Sequence, residues 1–371
     1  MSQLASFFIF RPGYSQVATT ALQAANGDYL LAGRLSPQSG PAMGTALRLR
    51  GGNVVWEKNY PGQFSTSFSS MAALPNGTFI LTGIYFTSNL AGDEKTWLVN
   101  LDGEGNVLWE GQYGRPGYQD DGYAVVATSD GGFVVAGLNR EHGVDKLATT
   151  LVRKFDAQRR LQWSHEFFDG VCFAIAQTSD GGYILSGAHR IAGSLNSNPY
   201  VLRLDTNGNK VWSRAFTGTE IYVLPHSSVT QTRDGNFLVV AKQALIKVDG
   251  AGNILWERRN DIFDLHSVLE LPDQSIAVGG VFALDNNDHA YVAVLNATGE
   301  TIQWDNTALQ LPSAFTQLFV DRRYRLVAAS GFGPLDGDRS QMLLAVFYPA
   351  TTFSKMAATP EPGASNKTTA A

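Results

Sequence analysis

The side chains that could do chemistry in this sequence are aspartates and histidines close to an aromatic residue. They fall in segments that stand at equivalent points of a repeating pattern: Tyr118, Asp120, Asp121, Asp169, His226, Asp264 and His266. Carboxylates accept hydrogen bonds from hydroxyl groups and hold cations, and a tyrosine ring offers a flat surface for stacking. These residues are the candidate binding site, with cation or sugar recognition as its chemistry. The alternative is that they are turn-forming and solvated charges.

The two histidines that occupy similar places do not predict a metal site. His226 lies in LPHSS and His266 in DLHSV, and a zinc site needs at least one further ligand, which no residue supplies at a matching spacing. The segments LDNNDH (284–289) and LDGDRS (335–340) lack the spaced ligands of a calcium loop. The sequence also contains neither a phosphate-binding loop nor a GxSxG nucleophile motif. We therefore expect no metal, no cofactor and no enzymatic activity.

A sequence motif that ends in tryptophan shows which structural elements must position the candidate binding residues. Six of the seven tryptophans close a phrase such as RLDTNGNKVW (203–212), which recurs about every 50 residues. It ends at Trp56, Trp109, Trp163, Trp212, Trp256 and Trp304. The Gly and Asn at 207–209 suit a tight turn between two strands. We interpret the tryptophans as packing residues between neighbouring repeats rather than as ligand-stacking residues.

A second phrase completes the repeat. TSDGGYILSG (178–187) and its relatives place an Asp-Gly or Asn-Gly turn before an apolar strand, which is a strong hairpin signal. Each repeat then gives four antiparallel strands, A to D. The pattern predicts an all-β, seven-bladed β-propeller of four-stranded blades, in which an N-terminal strand closes the last blade.

The predicted boundaries follow the repeats. The propeller covers 1–350, and 351–371 is expected to be a disordered tail because it is rich in Ala, Thr, Ser and Pro. The blades are expected near 14–60, 68–113, 122–168, 172–217, 227–260, 266–306 and 314–348 plus 6–10.

Composition narrows the class of protein. The 371 residues carry a net charge of −5, which argues against a nucleic-acid partner. The single cysteine, Cys172, excludes an intramolecular disulfide and is expected to be a buried apolar residue. No apolar run reaches the length of a membrane helix, and the N-terminus lacks a classical signal peptide. We expect a cytoplasmic protein, with export by a non-classical route as the alternative.

The two phrases together, SDGGYxLxG followed by LxLDxxGNxxW, resemble the tandem propeller repeats of bacterial surface and secreted proteins, and the outer-strand phrase of quinoprotein-type propellers. The resemblance covers residues 1–350 and implies the fold. It does not imply an activity, because propellers carry unrelated functions. Quinoprotein dehydrogenases are much longer and use adjacent cysteines, whereas this chain has Cys172 alone. The turn is also similar to the aspartate box of sialidases, but a set of arginines for a substrate carboxylate is missing.

We expect the function to depend on the segments that vary from one repeat to the next. The segments between strands B and C are long in blades 1–4 (34–44, 84–95, 138–147, 188–198), while blade 5 has only Lys242 and Gln243 there. Such an uneven rim favours a non-catalytic interaction or structural module that binds a protein partner or belongs to a larger assembly. The alternative is a lectin-like glycan-binding propeller. A hydrolase or lyase acting at the acidic channel mouth is a third hypothesis.

Overall fold

The fold consists of β-strands arranged in seven sheets. The computed structural model describes residues 2–9, 14–89, 92–141, 148–190, 196–216, 221–222, 227–241, 243–259, 263–284, 287–305, 313–332 and 341–348. The predicted tail, 351–371, and His226 lie outside these residues. Every regular element within the described residues is a strand.

The strands follow one another from the inner to the outer edge of each sheet. The first strand, β1 (Ser2–Ile9), belongs to the last sheet. Blade 1 contains β2 (Tyr14–Gln23), β3 (Tyr29–Pro37), β4 (Met43–Arg50) and β5 (Asn53–Tyr60). Blade 2 contains β6 (Thr66–Ala73), β7 (Phe79–Phe86), β8 (Glu94–Leu101) and β9 (Val107–Tyr113). Blade 3 contains β10 (Tyr118–Ala127), β11 (Phe133–Glu141), β12 (Thr149–Phe155) and β13 (Leu161–Phe167).

The remaining blades repeat this order. Blade 4 contains β14 (Val171–Gln177), β15 (Tyr183–Arg190), β16 (Asn196–Leu204) and β17 (Lys210–Ala215), and the short β18 (Ile221–Tyr222) also pairs with β16. Blade 5 contains β19 (Ser227–Gln231), β20 (Phe237–Ala241), β21 (Ala244–Val248) and β22 (Ile254–Arg259). Blade 6 contains β23 (Phe263–Glu270), β24 (Ile276–Leu284), β25 (Asn287–Leu295) and β26 (Thr301–Asp305). Blade 7 contains β27 (Ser313–Val320), β28 (Leu326–Phe332), β29 (Gln341–Tyr348) and β1.

The two ends of the described chain meet in blade 7. Strand β1 runs antiparallel to β29, with Ser2 opposite Tyr348 and Ile9 opposite Met342. The N-terminal strand thus supplies the outer strand of the last blade and covers an edge that would otherwise be open. The seven-bladed β-propeller and its closing strand are confirmed.

Adjacent blades are held together by apolar side chains from both facing sheets. Ile184 and Val201 of blade 4, for example, share one buried cluster with Phe237 and Val239 of blade 5. Strands B and C are covered on both sides, which is why they read as nearly continuous apolar runs.

The tryptophan at the end of the phrase joins one blade to the next, as two examples show. The ring of Trp212 on β17 packs against Gly252 in the C–D turn of blade 5, and its Nε1 donates to the Gly250 carbonyl at 2.9 Å. Trp56 makes the same contacts with Gly105 and Gly103 of blade 2. Both Gly105 and Gly252 have positive φ, so the turn and the ring each require glycine there.

In several blades an aspartate of the A–B turn forms an ion pair with a cation on strand C. In blade 3 the buried Lys154 amine lies 2.8 Å from Asp130, and in blade 1 the Arg48 guanidinium lies 2.6 Å from Asp28. Arg203 and Asp180 form the same pair in blade 4. These pairs hold the A–B turn against the middle of the blade.

Strands B and C extend into the segments predicted to connect them. In blade 1, β3 continues to Pro37 and β4 begins at Met43, so only five residues separate the two strands. The hairpin of blade 5 is short, since β20 ends at Ala241 and β21 begins at Ala244. The strands of blade 5 are shorter as well, with five residues each against nine and eight in blade 1.

Candidate functional site

We call the end of the blades that carries the D–A connections and B–C hairpins the upper face, and the end with the A–B and C–D turns the lower face. The inner strands surround an axial cavity of about 490 Å³. Every inner strand contributes to its lining, together with Arg34 on β3 and Ile84 on β7. Both of the sites described below lie on this frame.

A β-bulge in the inner strand turns one residue of most blades toward the cavity. The register shifts in six of the seven inner strands, all except β19. The extra residues, all in the cavity lining, are Thr19, Ser69, Tyr123, Phe173, His266 and Thr316. The bulge re-aims these side chains and so decides which residue types face the axis.

The glycine that ends the second phrase explains the bulge. A Cβ at Gly187 would lie 1.9 Å from the Val171 carbonyl oxygen, and a Cβ at Gly33 would lie 1.9 Å from that of Val17. Five blades have glycine at this position. Blade 5 has Ala241 instead and lacks the bulge, whereas blade 7 keeps the bulge with Ser330. We have no physical account of the serine.

The second cavity, also of about 490 Å³, opens on the upper face at the end of blade 3. The Arg115 guanidinium lies 3.9 Å from the centre of the Tyr118 ring. Phe168, which follows β13, is 73% exposed beside them. We call these three residues the upper patch. Exposed aromatic rings and an arginine are the side chains that most often anchor protein interfaces.

Asp120 fixes the upper patch from below. It is fully buried, and its carboxylate accepts hydrogen bonds from the Arg115 backbone N–H at 2.9 Å and from Asn139 Nδ2 at 2.6 Å. Arg153 lies 3.3 Å from the same carboxylate. The Asn139 amide oxygen in turn accepts from the Arg115 guanidinium at 2.6 Å. Both ends of Arg115 are therefore held in place before any partner arrives.

Asp121 has a different environment because successive side chains of a strand alternate in direction. One of its oxygens accepts from the Tyr123 hydroxyl at 2.9 Å and from Gln119 Nε2 at 2.8 Å. The other, Oδ1, has no hydrogen-bond partner among the described residues. Burial raises the pKa of Asp121 to about 6, although these hydrogen bonds oppose the shift.

The remaining predicted site residues are spread over other parts of the propeller, away from Asp120 and Asp121. Asp169 accepts from Lys210 Nζ at 2.7 Å and Ser213 Oγ at 3.1 Å on the outer strand of blade 4, and the Lys210 hydrogen bond lowers its pKa. Asp264 is half-buried on β23. His266 lines the axial cavity, whereas Tyr118 lines the cavity beneath the upper patch. The predicted residues thus do not converge on a single site.

Sequence reasoning did not find Arg115, Phe168 or Arg34. Arg115 and Phe168 lie 53 residues apart in the sequence, in the connections before β10 and after β13, and both line the cavity at the upper end of blade 3. A possible signal for the bulge residues was the repeated glycine at the end of strand B. Among the described residues no cluster of three metal-ligating side chains exists, and no helix there is long and apolar enough to cross a membrane.

Comparison with known proteins supports the fold and goes no further. No protein-family model matches the sequence, and no curated protein matches it significantly. Sqt1 from Chaetomium thermophilum, bound to the N-terminus of the ribosomal protein L10, is 14% identical with a TM-score of 0.53, covering 91% of this chain and 89% of that one. The Dos1 propeller is 12% identical with a TM-score of 0.55, covering 92% and 95%. BBS1N in complex with ARL6DN is 13% identical with a TM-score of 0.53, covering 94% and 99%.

Proposed function

We propose that this propeller is a non-catalytic scaffold that binds a protein partner through the upper patch. The observation that carries the proposal is the prearranged Arg115 on the Tyr118 ring beside an exposed Phe168. Arg115 is held at its backbone by Asp120 and at its guanidinium by Asn139, so little side-chain entropy remains to be lost on binding.

The class of partner is supported by two further points. Among the similar propellers, Sqt1 is described bound to a segment of L10 and BBS1N is described in complex with ARL6DN. The upper patch also lies next to the blade 3 hairpin, and loops on a rigid frame are where propellers place recognition. We further propose that the chain is part of a larger assembly.

Affinity capture with the full chain as bait tests the proposal. The variants are Tyr118→Ala, Phe168→Ala and Arg115→Glu, with Arg214→Glu as the matched charge control on the outer strand β17. We expect a protein that the wild type and Arg214→Glu recover in equal amounts and that the three patch variants lose by roughly tenfold or more, because anchor residues of this type contribute about 2 kcal/mol each. The interaction must then be reproduced with the purified partner.

Three outcomes would overturn the proposal. Recovery of the same proteins by wild type and patch variants would show that the patch is not the interface. Binding to a glycan array that Tyr118→Ala abolishes, with no protein recovered, would favour the lectin-like function instead. Turnover in a screen of hydrolase and lyase substrates would replace the non-catalytic assignment.

A further inference from the structure

The axial cavity differs from the upper patch in its chemistry. None of its described lining residues is an aspartate or glutamate, whereas Arg34 lies in the wall on β3. Arg34 is exposed, and within the described part of the chain it makes no hydrogen bond or ion pair. A guanidinium beside a cavity of about 490 Å³ thus retains all five of its N–H donors for a ligand.

The serines of the inner strands add further donors. Ser70 Oγ accepts a hydrogen bond from the Val125 N–H at 3.2 Å, and Ser267 Oγ accepts one from the Leu318 N–H at 3.0 Å. In both cases the serine of one blade takes the backbone N–H of the next blade. A hydroxyl group whose oxygen already serves as acceptor still has its proton to donate.

The same arrangement recurs at two other places around the cavity. Ser228 Oγ accepts from the Val268 N–H at 3.4 Å. The Gln317 side-chain oxygen accepts from the Ala21 N–H at 2.7 Å, which leaves the Gln317 NH₂ group as donor. No described residue accepts a hydrogen bond from these four side chains. The hydrogen bonds between neighbouring blades therefore fix the orientation of these three serines and Gln317. Within the described residues, their hydroxyl and amide donors have no acceptor.

One part of the wall is aromatic. The rings of Tyr123 and Phe173, both bulge residues, meet edge to face with their centres 5.1 Å apart. A cavity of this volume accommodates a small organic molecule rather than a polypeptide segment, and pockets of this kind combine an apolar wall with a few polar groups that fix orientation.

We propose that the axial cavity binds a small organic oxyanion, a carboxylate or phosphate monoester with an aromatic or other apolar body. Arg34 pairs with the oxyanion, since its fork of donors matches the geometry of both groups. The serine and Gln317 donors satisfy the remaining oxygens, and the Tyr123 and Phe173 rings contact the body of the ligand. This site is independent of the upper patch and of the partner proposed for it.

Ligand-observed NMR with the full chain tests this proposal with three probes of one shape. Phenylacetate and phenyl phosphate carry the oxyanion, and phenylacetamide is the neutral match. We expect at least one of the two anions to bind at millimolar concentration, at least roughly tenfold more tightly than the amide. Which anion binds more tightly distinguishes carboxylate from phosphate recognition.

Variants then locate the site. Arg34→Gln should weaken binding of the anion by roughly tenfold and leave the amide unchanged, whereas Arg34→Lys should retain part of the difference because it keeps the charge. Arg214→Gln is the control for loss of an exposed arginine, and Phe168→Ala separates this site from the upper patch. Equal binding of anion and amide, unchanged binding by Arg34→Gln, or no binding of any probe would each overturn the proposal.

Discussion

At the scale of single residues, the glycine that ends strand B decides what faces the axis. A side chain there would collide with a backbone oxygen, which cannot move without disturbing the inner strand. The bulge and the glycine occur together in five blades, and the Ala241 blade has neither, whereas blade 7 keeps the bulge with Ser330.

We predict that Gly187→Ala destabilises the protein by about 2–3 kcal/mol, because its Cβ would lie 1.9 Å from the Val171 carbonyl oxygen. The free energy of unfolding is measured by urea denaturation. Gly250→Ala is the matched control, since a Cβ there meets nothing within 4 Å, and it should change stability by no more than about 0.5 kcal/mol. Equal effects of the two substitutions would contradict the steric explanation.

Asp121 gives a prediction for pH dependence. Its pKa is about 6 in the folded protein against an ordinary value of 3.8 for an aspartate, so the folded state holds more protons between these values. Stability should therefore fall as the pH rises through this window, by up to about 3 kcal/mol from this group.

Asp121→Asn removes this contribution. The wild type loses stability from Asp121 as the pH rises from 4 to 7, and the variant does not. The free energy of unfolding of the variant should therefore rise relative to that of the wild type by the same amount over this range. Denaturation at a series of pH values measures this difference. A constant difference between the two proteins across that range would show that Asp121 ionises as it does in the unfolded chain.

At the scale of elements, the blade is held by ion pairs on the inside of its A–B turn. The Lys154 amine is almost fully buried while Asp130 is half-exposed, so the two partners do not contribute equally. Blades 6 and 7 have Val294 and Val346 at the Lys154 position, both buried. A buried apolar residue can thus occupy this strand C position in place of the cation of an ion pair.

A double-mutant cycle tests this asymmetry. Asp130→Ala should cost about 2–3 kcal/mol, because it leaves a buried amine without its counter-charge. Lys154→Met should cost about 1 kcal/mol or less, and the double variant should be no less stable than Asp130→Ala. The cycle is read from urea unfolding. A larger loss from Lys154→Met than from Asp130→Ala would contradict the argument.

At the scale of the whole molecule, stability depends on closing the ring. In the part of the chain that the structure describes, the main contacts between blades join neighbouring blades. The pairing of β1 with β29 joins the first part of the chain to the last and covers the outer edge of β29.

Deleting residues 1–13 should lower the melting temperature and produce concentration-dependent association, because the edge of β29 becomes a template for pairing with another chain. Calorimetry and light scattering measure the two effects. A circular permutant that places residues 1–13 after Tyr348 through a short linker restores the strand and should recover the monomeric, more stable protein. Unchanged stability on deletion would show that β1 does not close the ring in solution.

The sequence by itself determined the number of blades and the closing strand, because these depend on the repeated local signals. Asp-Gly turns, positive-φ glycines and the tryptophan that closes six of the seven repeats act within one blade or between one blade and the next. Only the tertiary structure decided where chemistry can occur. Tyr118, Asp120 and Asp121 are adjacent in sequence, yet the pleat sends Asp120 beneath the upper patch and Asp121 into a separate buried environment. Arg115 and Phe168, and Arg34 with the serines of other blades, become neighbours only when the sheets are arranged around an axis, and a sequence contains no local signal for contacts of that range.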